Sequence, residues 1–220
     1  MNIVHDTVMP TTICQSLHQM LKDLPIYRFP YNESLIPKNG IYVLFEDGEV
    51  AHGANRIVRI GTHTGTNQLR SRLKQHFLIA KKDRSIFRKN IGRCLLNQDK
   101  DPFLQLWELD LTSHAAKVKW ADKIDTQKQI DVETMVSDYI QGHLQFVAFQ
   151  VSEKNKRLEL ESKIISTVSH CDQCKPSPQW LGHHSPKIKI KLSGLWQVNE
   201  LNKTPLTDND LDELRHSLVM

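Results

Sequence analysis

The sequence predicts an α+β fold, and three observations carry this prediction. Two short β-type runs, Gly40–Phe45 and Arg56–Ile60, lie close together with an Asp47-Gly48 turn signal between them, which predicts an antiparallel pair. Residues 67–80 then carry apolar side chains at helical spacing. A run rich in aromatic and β-branched residues, His143–Val151, predicts a further strand much later in the chain.

Apolar periodicity predicts the helices that surround these strands. They cover residues 10–24, 67–80, 83–96, 127–141 and 154–169, with a short C-terminal helix capped by residues 207–210. Two segments have weaker patterns. Phe103–Leu111 is predicted to be β-like, and the lysine–isoleucine alternation of Lys187–Leu192 predicts an edge strand with its lysines outward.

The composition is typical of an ordinary globular protein and predicts one core with extensions. Of 220 residues, 39% are hydrophobic and 25% are charged. No apolar run is long enough to span a bilayer, and the N-terminus lacks the plan of a signal peptide, so we expect a cytoplasmic protein with no membrane partner. We expect an N-terminal helix and lead-in at 1–39, a core at 40–170 with an insertion at about 97–142, and a C-terminal extension at 171–220 that packs on the core.

Positive charge is concentrated between residues 70 and 93. The net charge of the chain is only +4, but this stretch holds nine basic residues against the single acid Asp83. A local field of that sign suits a phosphate backbone, and a solvated helix face is the alternative interpretation. The candidate phosphate contacts, which would position DNA without reading its sequence, are Arg70, Lys74, Arg84, Arg88, Lys89 and Arg93.

Four other side chains could support phosphodiester chemistry. Glu161 projects into the apolar arc of helix 154–169, where a carboxylate needs a metal ion or a cationic partner; the alternative is a glutamate at the edge of the stripe that reaches solvent. Arg72 and His76 lie one turn apart and can address the same ligand atom. Glu161 would hold a divalent cation, Arg72 would stabilise charge on the phosphate, and Tyr42 and His76 would position and deprotonate water.

These residues stand in motifs that resemble the GIY-YIG endonuclease superfamily. Gly40-Ile41-Tyr42 is similar to the first signature tripeptide, and Arg59-Ile60-Gly61 is similar to the second. The matching positions that follow are Arg72 and His76, at the spacing of restriction-type members, and Glu161 at the metal-binding glutamate. The match runs from about 38 to 96 and resumes at 143–168. Two later blocks, at residues 180–182 and 193–196, look like a bacterial branch of these proteins.

The resemblance implies both a fold and an activity. The fold is a small central antiparallel three-stranded sheet flanked by helices. The activity is hydrolysis of DNA strands with one metal ion per site, Mg²⁺ or Mn²⁺, held by Glu161. Because a single site cuts one strand per encounter, cleavage of both strands needs a dimer or sequential nicks, and the sequence leaves the oligomeric state open.

Two departures from the family pattern keep a second hypothesis open. Arg59 replaces the second signature tyrosine, and His63, two residues past Gly61, is the nearest titratable substitute unless it is an exposed loop histidine. The late asparagine of the family has no clean match, with Gln179 closest and Asn199 as a second option. If both losses are real, the domain binds DNA without cutting it.

The cysteines permit a third hypothesis, a structural or partner-binding protein with a zinc knob. Cys171 and Cys174, with His183 and His184, are a candidate tetrahedral zinc set. The adjacent histidines and the short gap are unlike the usual finger spacing, so we favour free thiols in a reducing cytosol. Cys14 and Cys94 each stand alone, which is not the pattern of a disulfide framework.

Overall fold

The structure is a computed structural model that describes residues 10–219, so residues 1–9 of the predicted N-terminal segment lie outside it. The described strands are β1 (Tyr27–Arg28), β2 (Gly40–Ala51), β3 (Ala54–Gly61) and β4 (Leu144–Gln150). The described helices are α1 (Pro10–Lys22), α2 (Leu69–Phe77), α3 (Ile86–Gln98), α4 (Leu104–Trp107), α5 (His114–Trp120), α6 (Thr126–His143), α7 (Lys154–Ser169), α8 (Ile188–Ser193) and α9 (Asp208–Val219). Within residues 10–219, no helix is both long and apolar enough to cross a membrane.

The strands form one antiparallel sheet in the order β1-β4-β2-β3. The α+β class and the small antiparallel sheet flanked by helices are confirmed, but the sheet has four strands rather than three. The additional strand, β1, contributes only two residues, which pair with Phe146 and Gln145 of β4. A strand this short has no alternation to detect, so its position depends on the sheet that it joins.

Strand β2 is buried on both faces and separates two layers of helices. Ile41 and Val43 pack in a core with α1, α7 and α9, whereas Tyr42 and Leu44 pack in a second core with α2, α3 and α6. Successive side chains of a strand point to opposite faces, which accounts for this division. Tyr42 and Glu161 therefore belong to opposite layers, and they approach each other only at the end of β3.

The hairpin of β2 and β3 is longer than predicted and contains an irregularity beside Arg59. Its turn, His52-Gly53, has φ values of 52° and 69°, as a two-residue type I′ turn requires. Leu44 pairs with Arg59 but Phe45 pairs with Ile57, which leaves Val58 as an extra residue on β3. A bulge of this kind redirects side chains, and here Arg59 shares the face of Tyr42.

Both segments with weak patterns differ from their predicted state. Phe103–Leu111 contains the short helix α4, and Trp107 is buried with its indole N–H donating to Lys89 O at 3.0 Å. Lys187–Leu192 is largely the helix α8, which ends at Gly194 with φ 68°. In both, an alternation of apolar residues is also compatible with a single helical turn, and tertiary packing decides the outcome.

Candidate active site

The centre of the site is a hydrogen-bonded pair of buried side chains, Tyr42 and His76. The Tyr42 hydroxyl oxygen lies 2.7 Å from His76 Nε2, and His76 Nδ1 lies 2.7 Å from Ser85 Oγ. Both Tyr42 and His76 are fully buried. Burial lowers the pKa of His76 well below its usual value, and the charges of Arg59, Arg72 and Arg88 lower it further. The imidazole is therefore neutral at pH 7.

The glycines of the two signatures are required by close packing. A Cβ at Gly61 would lie 2.2 Å from the Tyr42 hydroxyl oxygen, and a Cβ at Gly40 would lie 2.0 Å from the carbonyl oxygen of Phe149. Neither neighbour can move without disturbing the sheet or the Tyr42–His76 contact. Glycine at these positions lets β2, β3 and β4 hold the tyrosine beside the histidine.

Arg59 occupies the position of the second signature tyrosine and is directed at the same hydroxyl. Its Nε donates to the Tyr42 oxygen at 3.4 Å, and its Nη1 donates to Trp196 O at 2.6 Å. The guanidinium carbon lies 5.1 Å from the centroid of the Phe87 ring. Arg59 is 7% exposed, so its charge lies inside the protein and beside Tyr42.

Glu161 reaches the site from α7 on the other layer of helices. Its Oε1 accepts a hydrogen bond from Thr62 N at 3.0 Å, immediately after β3, and its Oε2 has no hydrogen-bond partner among the side chains and backbone groups that the structure describes. Burial raises the pKa of Glu161, while the charges of Arg59 and Arg72 and the Thr62 N–H act in the opposite direction. The side chain is half-buried, and Oε2 is the carboxylate oxygen that no described protein group occupies.

Arg72 lies on the wall of a cleft at this end of the sheet. The cleft has a volume of about 370 Å³ and is lined by the loop after β3 and one side of α2. Arg72 Nη1 donates to Gln75 Oε1 at 3.0 Å, and the side chain is half-buried. A larger cavity of about 630 Å³ lies beside Lys82 and α6. Tyr42, His76 and Glu161 line neither space, but the smaller cleft is bordered by Arg72, by His63 and by Thr62, whose N–H donates to Glu161.

His63 is close to the site, but both of its ring nitrogens have backbone partners. Nδ1 donates to Gly65 O at 2.7 Å, which leaves Nε2 to accept from Gly40 N at 3.3 Å. Burial lowers its pKa. His63 is thus neither an exposed loop histidine nor a group free to activate water, since it fixes the loop that presents Thr62.

Neither candidate for the late asparagine has a side-chain hydrogen bond to Tyr42, His76 or Glu161 among the described residues. Gln179 lines a cavity beside Glu46 and Glu49, at the opposite end of β2 from Tyr42, and Asn199 is exposed. The amide that does contact β3 is Gln197, whose Oε1 accepts from Ile60 N at 2.8 Å. Gln197 comes from an irregular segment, where no periodicity could have identified it.

Two further residues at the site were missed by sequence reasoning. Ser85 is the N-cap of α3, and its Oγ also accepts from Arg88 N at 3.2 Å; a serine just before an apolar periodic run is a signal that could have found it. Glu200 accepts from Ser162 Oγ at 2.7 Å, and its charge raises the pKa of Glu161. Glu200 comes near Glu161 only through the tertiary fold, so no local sequence pattern predicts that it belongs to the site.

The structure corrects the assignment of three predicted phosphate contacts. Arg88 is fully buried and pairs with Glu133 through Nη2 and Oε2 at 2.8 Å. Arg93 pairs with Glu108 at 2.6 Å, and Lys89 Nζ donates to the Glu108 carbonyl oxygen at 2.7 Å. These charges hold α3 against α6 and the segment after α4, so they are not available to DNA in this fold.

The buried ion pair of Arg88 and Glu133 gives a prediction about the stability of the protein. Arg88→Met is expected to lower the free energy of unfolding by about 3–5 kcal/mol, because it leaves the Glu133 carboxylate buried without its cation. Urea unfolding followed by circular dichroism measures this change. Arg84→Met is the matched control, since Arg84 is exposed, and should change stability by less than about 0.5 kcal/mol. Equal stability of the two variants would contradict the structural role of Arg88.

The other predicted phosphate contacts lie at or near the surface. Arg84 is exposed, and Lys74 is 45% exposed and pairs with Glu33 at 2.9 Å. Arg70 is held by backbone carbonyls, with Nε donating to Ile36 O at 2.7 Å and Nη2 donating to Ser34 O at 3.1 Å. Arg84 and Lys74 therefore remain as exposed or partly exposed positive charges near the cleft that contains Arg72.

The two tryptophan-containing blocks near the C-terminus pack against each other. The Trp180 and Trp196 ring centroids are 4.9 Å apart, and both indole N–H groups donate to the buried Glu46 carboxylate, at 3.0 and 2.8 Å. Tyr139 also donates to Glu46. Burial raises the pKa of Glu46, partly offset by these donors. The blocks thus secure the segment whose Trp196 carbonyl holds Arg59.

The candidate zinc set also needs correction. His183 Nε2 lies 2.8 Å from Ser177 O, and neither His183 nor His184 joins Cys171 and Cys174. The two cysteines instead face Cys14 of α1 and His52 of the β2–β3 turn.

The fold and the site together define a class of protein. A tyrosine–histidine pair, two arginines and a carboxylate at one end of a small antiparallel sheet are the groups that phosphate chemistry uses. A family model of the GIY-YIG domain matches residues 11–219, and the chain belongs to the GIY-YIG family. No curated protein and no solved structure matches it. Membership indicates a nuclease acting on DNA, and nucleases of this family are generally metal-dependent.

Proposed function

We propose that the protein is a metal-dependent endonuclease that hydrolyses phosphodiester bonds of DNA in the cleft beside Arg72. The observation that carries this proposal is the hydrogen-bonded series Arg59–Tyr42–His76, whose neighbour Glu161 has an oxygen without a partner among the described residues. A proton acceptor, cationic groups and a hard oxygen ligand then meet at one end of the sheet. Phosphoryl chemistry requires these three kinds of group.

Glu161 is the group that would hold a divalent cation. Magnesium and manganese prefer carboxylate oxygens and commonly bind through one or two carboxylates, with water and substrate phosphate completing the shell. Glu161 Oε2 meets this requirement, and Oε1 is oriented by Thr62. When bound, the cation supplies positive charge to the scissile phosphate. Arg72 would stabilise charge that develops on the phosphate oxygens.

Tyr42 and His76 would move the proton of the attacking water. The neutral imidazole can accept the Tyr42 proton at Nε2 as the tyrosine oxygen takes one from water, so no free phenolate accumulates. Arg59 has to leave the Tyr42 oxygen for this step. A phosphate gives a guanidinium a charge-assisted bond that is stronger than its contact with a hydroxyl, so bound DNA supplies the reason for that movement.

A nicking experiment tests the proposed activity. Supercoiled plasmid and a single-stranded circle are incubated with the protein and Mg²⁺ or Mn²⁺, and a parallel reaction contains excess chelator. We expect cleavage that requires the cation, and the substrate that reacts identifies the preferred DNA form. Absence of scission with either cation, while the protein still binds DNA, would overturn the proposal.

One observation favours a second candidate, a DNA-binding module without cleavage activity. Tyr42 and His76 have no exposed surface, and Arg59 covers the hydroxyl that would meet water. If Arg59 remains in place on DNA, the protein binds and does not cut. Arg59→Tyr then becomes the informative variant, since it restores the family residue and removes the guanidinium from Tyr42.

Both candidates predict that Arg84 contributes to DNA binding. Arg84→Gln is expected to weaken binding equally for different DNA sequences and to lower the slope of log affinity against log salt by about one, because it removes one phosphate contact. Fluorescence anisotropy at several salt concentrations measures the slope. Arg215→Gln is the control, as Arg215 is an exposed arginine of α9 paired with Asp212. A normal slope for Arg84→Gln would remove this residue from the DNA surface.

A further inference from the structure

Three cysteines and one histidine converge from three separate parts of the chain. Cys14 lies on α1, His52 in the β2–β3 turn, and Cys171 and Cys174 directly after α7. One donor atom of each residue lies within 4.8 Å of the other three. We propose that these four residues bind a structural Zn²⁺ ion, independently of the activity proposed above.

The distances fit a tetrahedral zinc site. Zinc–sulfur bonds of about 2.3 Å and zinc–nitrogen bonds of about 2.0–2.1 Å place sulfurs about 3.8 Å apart, and sulfur about 3.6 Å from nitrogen. Cys14 Sγ lies 3.5 Å from Cys174 Sγ, and His52 Nε2 lies 3.2 Å from Cys171 Sγ. Three thiolates with one imidazole are a common structural zinc set, and the Cys171-x-x-Cys174 spacing is typical of one.

A disulfide and a purely apolar role for the cysteines both fit the cluster less well than zinc. A disulfide needs a sulfur–sulfur distance of about 2.05 Å, and all the cysteines are free. Buried cysteines that serve only as small apolar groups give no reason for a histidine to face them. Among the described residues, His52 Nδ1 is buried without a partner, and Cys171 Sγ is the polar contact of Nε2.

Residues around the cluster hold its ligands in place. Gln19 Nε2 donates to His52 O at 2.8 Å, which fixes the turn, and Cys174 N donates to Cys171 O at 3.2 Å. His18 adjoins the cluster, with Nδ1 3.7 Å from Cys14 Sγ and Nε2 3.9 Å from Cys174 Sγ. Each nitrogen has a nearer backbone partner, Cys14 O at 2.8 Å and Ile57 N at 3.4 Å. It is therefore a supporting residue rather than a fifth ligand.

The turn position of His52 makes a sharp test available. A type I′ turn prefers asparagine before glycine, because asparagine tolerates positive φ. If His52 served only the turn, His52→Asn would be neutral or stabilising. With zinc bound by His52, the same substitution is expected to weaken zinc binding at least about tenfold and to lower the melting temperature.

The experiment measures metal content on the full chain, purified without an affinity tag and without added metal. We expect about one zinc per protein by mass spectrometry of metals, and a tetrahedral thiolate absorption spectrum after exchange with Co²⁺. Chelation of the zinc should lower the melting temperature by more than about 10 °C. Cys171→Ser and His52→Asn should contain less zinc than the wild type, whereas His183→Asn and Cys94→Ser, controls outside the cluster, should retain the wild-type amount.

Three results would overturn the proposal. They are wild-type protein without zinc and without a tetrahedral cobalt spectrum, undiminished zinc in His52→Asn, and a Cys14–Cys174 disulfide under non-reducing conditions. The wild-type measurements decide the matter even if a cysteine variant fails to fold.

Discussion

Glu161→Gln is expected to abolish metal-dependent cleavage while DNA binding remains near the wild-type level. The amide keeps the size of the side chain and can still accept the Thr62 N–H, but it has no negative charge to hold a divalent cation. Loss of several kcal/mol of charge stabilisation corresponds to a rate lower by about 10²–10³-fold or more. Single-turnover nicking at saturating protein measures the rate, and anisotropy measures binding.

The control is a second glutamate on the same helix. Glu159 is exposed and pairs with Lys163 at 2.8 Å, away from Thr62. Glu159→Gln removes the same charge from α7 and should cut at the wild-type rate. If Glu161→Gln also cut normally, the cation would have to bind elsewhere, and the proposed role of Glu161 would be wrong.

Tyr42→Phe is expected to lower the cleavage rate by about 10²–10⁴-fold, the usual contribution of a positioned proton-transfer group. The ring fills the same space, so the fold is retained. The lost hydroxyl leaves His76 Nε2 buried without its partner, at a cost of about 1–3 kcal/mol in the free energy of unfolding. The effect on rate should therefore exceed the effect on stability.

The control for Tyr42→Phe is Tyr27→Phe. This substitution removes a hydroxyl that donates to Leu35 O from β1, and it should leave cleavage unchanged. Comparing the two variants separates the chemistry of Tyr42 from a general cost of losing a phenol. A Tyr42→Phe protein that is folded and cuts within a fewfold of wild type would contradict the proposed proton transfer.

Much of the architecture could be predicted because its signals are local. β-type runs identified the cores of β2, β3 and β4, although the Asp47-Gly48 turn signal was wrong, since it lies within β2 and the turn is His52-Gly53. Helical spacing identified α1, α2, α3, α6 and α7 to within a few residues. The same spacing placed Arg72 and His76 on one helix and Glu161 among apolar neighbours. Such inferences need only the geometry of a single element.

The remaining features depend on residues far apart in the chain. Charge density predicted phosphate contacts at Arg88 and Arg93, but their partners Glu133 and Glu108 lie 45 and 15 positions later. Similarly, His183 stands near Cys174 in sequence, whereas the histidine that joins the cysteine cluster is His52 of the β2–β3 turn. A sequence pattern records which charges and ligands are present, and only the tertiary fold pairs them.

The way in which distant segments complete the site has a consequence for when the protein becomes functional. Arg59 is held by Trp196, 137 positions later, and Cys14 meets Cys174, 160 positions later. Such non-local contacts slow folding, and during translation the nascent chain cannot form them until the later segments have left the ribosome. The signature strands are made early but lack their supports, so a partly synthesised chain would hold Tyr42 and Arg59 without a finished catalytic centre. On the proposed activity, cleavage of DNA would begin only once the segment that contains Trp196 has been synthesised and has packed on β3.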